Sequence, residues 1–177
     1  MIVIHANDPT TKVLSRLYET REDFMTRITE TSTNSQVRQS VMNADLVMML
    51  GHGNPYGLFS TPNKKGLYVR HLINSNHVQF LRDKKCIGIW CYANKFAEQY
   101  RLHGLFSGMI ISELQEAVNN HIVATKEEID SEMEIFVMRL KFCIETEELC
   151  DVPAKMLELD NTHSPLTEFN YKNLYYL

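Results

Sequence analysis

Two short segments carry the residue types that covalent chemistry needs. They are LVMMLGHGN at 46–54 and CIGIWCYA at 86–93. The first closes an apolar run with His52 between Gly51 and Gly53; the second closes one with Cys91. A cysteine thiolate forms near neutral pH and is intrinsically reactive, so Cys91 is a candidate nucleophile. An imidazole titrates near the working pH, so His52 is a candidate for proton transfer. Glycine on both sides of His52 permits a tight turn and leaves the Gly53 amide free to face a developing oxyanion.

The surrounding pattern says what must position these groups. Residues 2–6 (IVIHA) read as a strand that runs into a turn at Asn7-Asp8-Pro9. Helical spacing follows at Val13, Leu14, Leu17 and Tyr18, with Thr10 or Thr11 as its cap. Residues 24–29 alternate as an edge strand, and Val37, Val41 and Ala44 mark a second helix. Residues 45–50 and 86–91 are strands covered on both faces. Between them a Gly-rich stretch, 51–66, leads into a small hairpin arm (GLYVR), and Leu72, Ile73, Phe80 and Leu81 mark a helix. A helix over 94–103 opens on Asn94, a strand covers 105–111, and a short helix starts at Glu113. Ile129, Met133, Phe136, Val137, Leu140 and Ile144 line a long amphipathic helix that Pro153 ends. Residues 164–177 are aromatic but aperiodic and read as a packed tail.

Strands alternating with helices predict one α/β domain over 1–177, a three-layer α-β-α sandwich with a mostly parallel sheet. In such sheets ligands bind beyond the carboxyl ends of the strands. Asp8, Asn54 and Glu113, which follow three of the runs, are therefore candidate pocket residues beside His52 and Cys91.

Composition narrows the function classes. The 177 residues carry a net charge of -4, against the basic excess of a general phosphate-backbone binder, so nucleic acid is not expected. The stretch 126–151 alone carries -6, which reads as a solvated helix face. No apolar run has the length of a membrane span, and MIVIHANDP lacks a secretory n-region. Four cysteines without CxxC spacing argue against a disulfide framework or zinc ribbon and for a reduced, cytoplasmic setting. GHGNPYG matches neither phosphate-binding glycine pattern, and no His, Cys or acid pair has ligand spacing. No cofactor or metal is expected.

LVMMLGHGN and CIGIWCYA, in this order and on these elements, resemble the caspase-like cysteine peptidases, the clan of caspases, legumains, gingipains, separases and bacterial CHAT-domain proteins. The resemblance covers residues 1–125, and 126–177 add a C-terminal helix and tail. It implies a peptide or protein substrate, Cys91 as nucleophile, and His52 as the acid that protonates the leaving amine. The amides of Gly53 and Cys91 would form the oxyanion hole, and an acid near Asp8 would select basic side chains, as in several relatives. Its chemistry also implies a thiolate at Cys91 favoured by His52. Trp90 stands where relatives carry a small residue, Tyr92 where Gly or Ser is often near, and Ile89 where caspases have glutamine. Aspartate specificity therefore does not transfer. Two other readings fit the same residues: an inactive caspase-like module that binds or regulates a partner, and a flavodoxin-like binder of small molecules.

Overall fold

The computed structural model describes all residues from 1 to 177 except 64 and 69. Its main sheet has six strands in the order β2-β1-β3-β7-β8-β9. These are β1 (Ile2–His5), β2 (Thr26–Ile28), β3 (Leu46–Leu50), β7 (Lys85–Ile89), β8 (His103–Ser107) and β9 (Leu174–Tyr176). Neighbours are parallel from β2 to β8, and β9 closes the far edge antiparallel to β8. A separate three-stranded sheet joins β4 (Gly53–Asn54), β5 (Gly57–Phe59) and β6 (His71–Ile73).

Period-two alternation along the central strands divides the core into two clusters. Val3, Met48, Leu50, Ile87 and Leu105 join Leu14 and Leu17, Phe136 and Leu140 of α5 (Lys126–Thr146), and Met156 of α6 (Val152–Leu159). Ile2, Ile4, Val47, Met49 and Phe106 face the opposite way. They join residues of α1 (Asn34–Met42), α2 (Val78–Leu81) and α3 (Ala93–Tyr100). Burial on both faces is why these strands carry continuous apolar runs.

Chain order puts the topological switch between β1 and β3. The chain leaves β1 for β2 on one side and returns to β3 on the other. The crevice outside this point is where ligands of open α/β sheets bind. Both His52 and the Asp8–Pro9 turn emerge there.

Several local expectations change. The segment after β1 is a 3-10 helix, Pro9–Leu17, and its cap is Asp8, whose side chain accepts from the Thr10 amide. Leu72 and Ile73 belong to β6, because Ile73 pairs with Leu58, and the helix behind them shrinks to Val78–Leu81. α3 begins at Ala93, so Asn94 lies inside the helix, buried. β8 starts at His103, since Arg101 in the left-handed region already ends α3. The tail folds into α7 (Pro165–Lys172), capped by Ser164, and then β9. Pro153 sits in the first turn of α6, where its missing N–H has no partner to lose. Of the expected GLYVR arm, residue 69 lies outside the described residues.

One buried histidine ties β1 to the 3-10 helix. His5 Nδ1 lies 3.2 Å from the Tyr18 hydroxyl and Nε2 lies 3.2 Å from Thr11 Oγ1. Burial, reinforced by nearby Arg27, pulls its pKa down to about 4. The unfolded chain protonates this ring near pH 6.5 and the folded chain does not, so the unfolded state binds more protons between those values. Stability should therefore fall as pH drops from about 6.5 to about 4, by up to about 3 kcal/mol from this group. Denaturant titrations of the native chain and His5→Gln across that range check this. An equal pH dependence in both would remove His5 as the cause.

Candidate active site

The histidine arm is a tight hairpin set on the end of β3. Gly51 N–H donates to Ile89 C=O (3.1 Å), which carries the β3–β7 ladder one residue further. The turn between β4 and β5 is Pro55-Tyr56, braced by Tyr56 N–H donating to Asn54 Oδ1 (2.8 Å). Phe59 N–H donates to His52 C=O (2.8 Å), so His52 and Phe59 form a bonded pair of this antiparallel ladder. Bonded and non-bonded pairs alternate, which makes Gly53–Leu58 a non-bonded pair. The Gly53 N–H consequently faces away from β5.

Trp90 explains why residue 53 is glycine. A Cβ there would stand 2.1 Å from Trp90 Cδ1. The indole is buried and its Nε1–H donates to Asn54 C=O (3.2 Å). The bulky residue ahead of the cysteine thus supports the histidine hairpin.

The cysteine occupies a sharp strand-to-helix turn. Trp90 N–H donates to Ser107 Oγ (3.0 Å) and Ser107 Oγ–H donates to Trp90 C=O (2.8 Å), which takes the chain out of the sheet ladder. Tyr92 then adopts φ 68°, a left-handed conformation that costs a non-glycine residue roughly 1–2 kcal/mol. Its N–H is secured on Gly108 C=O (3.0 Å). Such strain concentrates at functional turns. Between these, Cys91 N–H donates to no oxygen among the described residues.

The thiol environment overturns one expectation. Cys91 Sγ lies 3.9 Å from Glu116 Oε1. Glu116 Oε2 accepts from Ser112 N–H (2.8 Å), Ser112 Oγ–H (3.1 Å) and Glu113 N–H (3.1 Å). Burial first, and the Glu116 carboxylate second, push the Cys91 thiol up to about 12. This environment favours the protonated Cys91 thiol over a thiolate paired with His52.

His52 is oriented by a relay that spacing did not reveal. His52 Nε2 lies 2.7 Å from Thr10 Oγ1, and Thr10 Oγ1–H donates to Asp8 Oδ1 (2.8 Å). Thr10 N–H also donates to Oδ1, and Tyr68 O–H donates to Oδ2 (2.8 Å). Burial works against the Asp8 charge, but the Thr10 and Tyr68 hydrogen bonds hold its carboxyl below the usual carboxylate range. An ionised carboxylate only accepts, and Thr10 has one hydroxyl proton, which goes to Asp8. His52 Nε2 must then donate to Thr10, so that in the neutral tautomer Nδ1 carries the lone pair.

His52 and Cys91 line one cavity of about 740 Å³. Gly51, Trp90 and Ser112 share its wall, and the 3-10 helix and α5 form its far side. Of the remaining expected residues, Asp8 lies behind Thr10 with both oxygens occupied. Asn54 sits in the hairpin, and Glu113 caps α4 (Leu114–Asn119) on the surface. None of these three lines the cavity. Thr10, Tyr68 and Glu116 were missed because each acts through a contact between distant segments. Among the described residues no group of three His, Cys, Asp or Glu side chains could hold a metal ion, and no helix is long and apolar enough to cross a membrane.

The chain matches no protein-family model and no curated protein.

The thiol geometry has a measurable consequence. Iodoacetamide at neutral pH should modify exposed Cys150 well before Cys91, with buried Cys86 and Cys143 protected. Glu116→Gln removes a like charge from the thiol and should speed Cys91 alkylation severalfold. Mass-spectrometric rates for each cysteine test both points; unchanged Cys91 labelling in that variant would show that the carboxylate has no hold on the thiol.

Proposed function

We propose that the chain is a cysteine peptidase of caspase-like type, a three-layer α-β-α sandwich acting in the cytoplasm on a peptide or protein substrate. One observation carries the reading. Cys91 and His52, from the ends of the adjacent strands β7 and β3, line the same cavity at the crevice of the sheet.

The chemistry follows from the atoms available. As Cys91 Sγ attacks a peptide carbonyl, the thiol proton passes to the His52 nitrogen left free, Nδ1, and the S–C bond forms. The carbonyl oxygen gains negative charge, for which the Gly53 and Cys91 N–H groups are the donors. His52 returns the proton to the amine as the C–N bond breaks, and water then hydrolyses the thioester. Asp8 acts through Thr10 as a positioning residue, fixing the ring and favouring the tautomer with Nδ1 free. Because the thiol starts protonated, attack depends on proton removal in the same step.

A thiol held against Glu116 favours the second reading, an inactive module that binds a partner. The flavodoxin-like reading has less support. The turn at the switch point is Asn7-Asp8-Pro9, which offers a phosphate a carboxylate and a proline without an N–H.

Hydrolysis of a fluorogenic peptide library by the whole chain tests the proposal. Cys91→Ala and His52→Ala should each lower kcat/KM by several orders of magnitude. Thr10→Val should lower kcat by about tenfold or more, with KM little changed and partial recovery in Thr10→Ser. Full hydrolysis by Cys91→Ala would refute the peptidase assignment. A native chain that cleaves nothing in the library would leave the binding module.

A further inference from the structure

The cavity beside Cys91 has a chemistry of its own, and it differs across its depth. Its inner wall is built from Leu14, Ile89, Ile110, Met133 and Phe136, all apolar and buried, contributed by the 3-10 helix, β7, the segment after β8 and α5. Its charged residues stand at the rim, and most are already matched. Arg16 pairs with Glu134, and Asp130 pairs with Lys126. The two remaining charges, Lys12 and Glu19, are exposed to solvent. Asp8, the acid best placed by sequence to select a basic side chain, is outside the cavity with both oxygens occupied.

We infer that this inner wall is a subsite for a large apolar side chain, that of leucine, methionine or phenylalanine, carried by the residue whose carbonyl Cys91 attacks. The inference rests on the peptidase reading and names its substrate class. An Asp or Arg side chain entering the same space would lose its water against the apolar inner wall, where no charged residue stands; Lys12 and Glu19 lie out at the solvent-exposed rim. An apolar side chain loses nothing there and leaves water. The volume of about 740 Å³ lies in the range of sites that enclose a side chain together with flanking backbone.

Two measurements on the whole chain separate this subsite from the activity it serves. In the first, peptides Ac-Ala-Ala-X-aminomethylcoumarin are compared for X = Leu, Met, Phe, Ala, Asp and Arg. The large apolar residues should exceed Asp and Arg by at least about tenfold in kcat/KM, the scale on which side-chain pockets discriminate. In the second, the Cys91→Ala chain is titrated with the matching peptide carboxamides while the methyl resonances of Met133 and Ile110 are followed by NMR. Leu and Phe peptides should shift these methyls, and Asp and Arg peptides should not. Ser131→Trp, a change at an exposed position on the cavity wall, should weaken that binding by about tenfold or more with the melting temperature preserved. Hydrolysis that favours Asp or Arg would overturn the subsite and leave the peptidase. Binding of Leu peptides at these methyls without any hydrolysis would leave the subsite and overturn the peptidase. Absence of an apolar preference in both measurements would overturn the subsite outright.

Discussion

Trp90 lies with its indole edge against the bare Cα of Gly53, and this contact locks the histidine hairpin to the cysteine turn. The Gly51–Ile89 hydrogen bond at the ends of β3 and β7 also joins the two elements. A close-packed contact of this kind leaves no room for a methyl group at residue 53. The indole N–H adds direction through its hydrogen bond to Asn54 C=O. In the sequence Trp90 looked like a departure from the family pattern. In the fold it supports the residue that the pattern identifies.

The same crevice holds His52 and Cys91 in contrasting environments. His52 is bound into a chain of hydrogen bonds whose direction is fixed by the number of protons available, ending on a carboxylate kept ionised by Thr10 and Tyr68. Cys91 is kept neutral by burial and by a second carboxylate, Glu116, whose other oxygen is saturated by three donors. Asp8 reaches the His52 ring through Thr10, and Glu116 faces the Cys91 thiol.

The acidic helix contributes to this arrangement through its position. α5 bears six of the nine acids of 126–151, and two of them are engaged at the cavity rim, by Arg16 and Lys126. Exposed pairs of this type add little to stability. Their consequence here is electrostatic: they cancel charge around the mouth while Met133 and Phe136 of the same helix supply apolar wall.

The central strands and their parallel sheet could be read from the sequence because each is a local signal, and their ends gave His52 and Cys91 as candidates. An apolar run without alternation reports burial on both faces, and the residues at its end report the sheet edge. Leu72 and Ile73 were misplaced because a short apolar pair fits helix and strand alike until Leu58 is brought beside it. The tail became α7 and β9 for a similar reason: its edge pairing with β8 is a contact across some seventy residues. The site divides along the same line. Residue type and strand-end placement were enough to nominate His52, Cys91 and Gly53 as candidates. Which carboxylate orients the histidine, which one restrains the thiol, and why glycine stands at 53 were decided only in three dimensions. Those properties depend on distances of a few ångströms between segments remote in sequence, and no local pattern encodes such a distance.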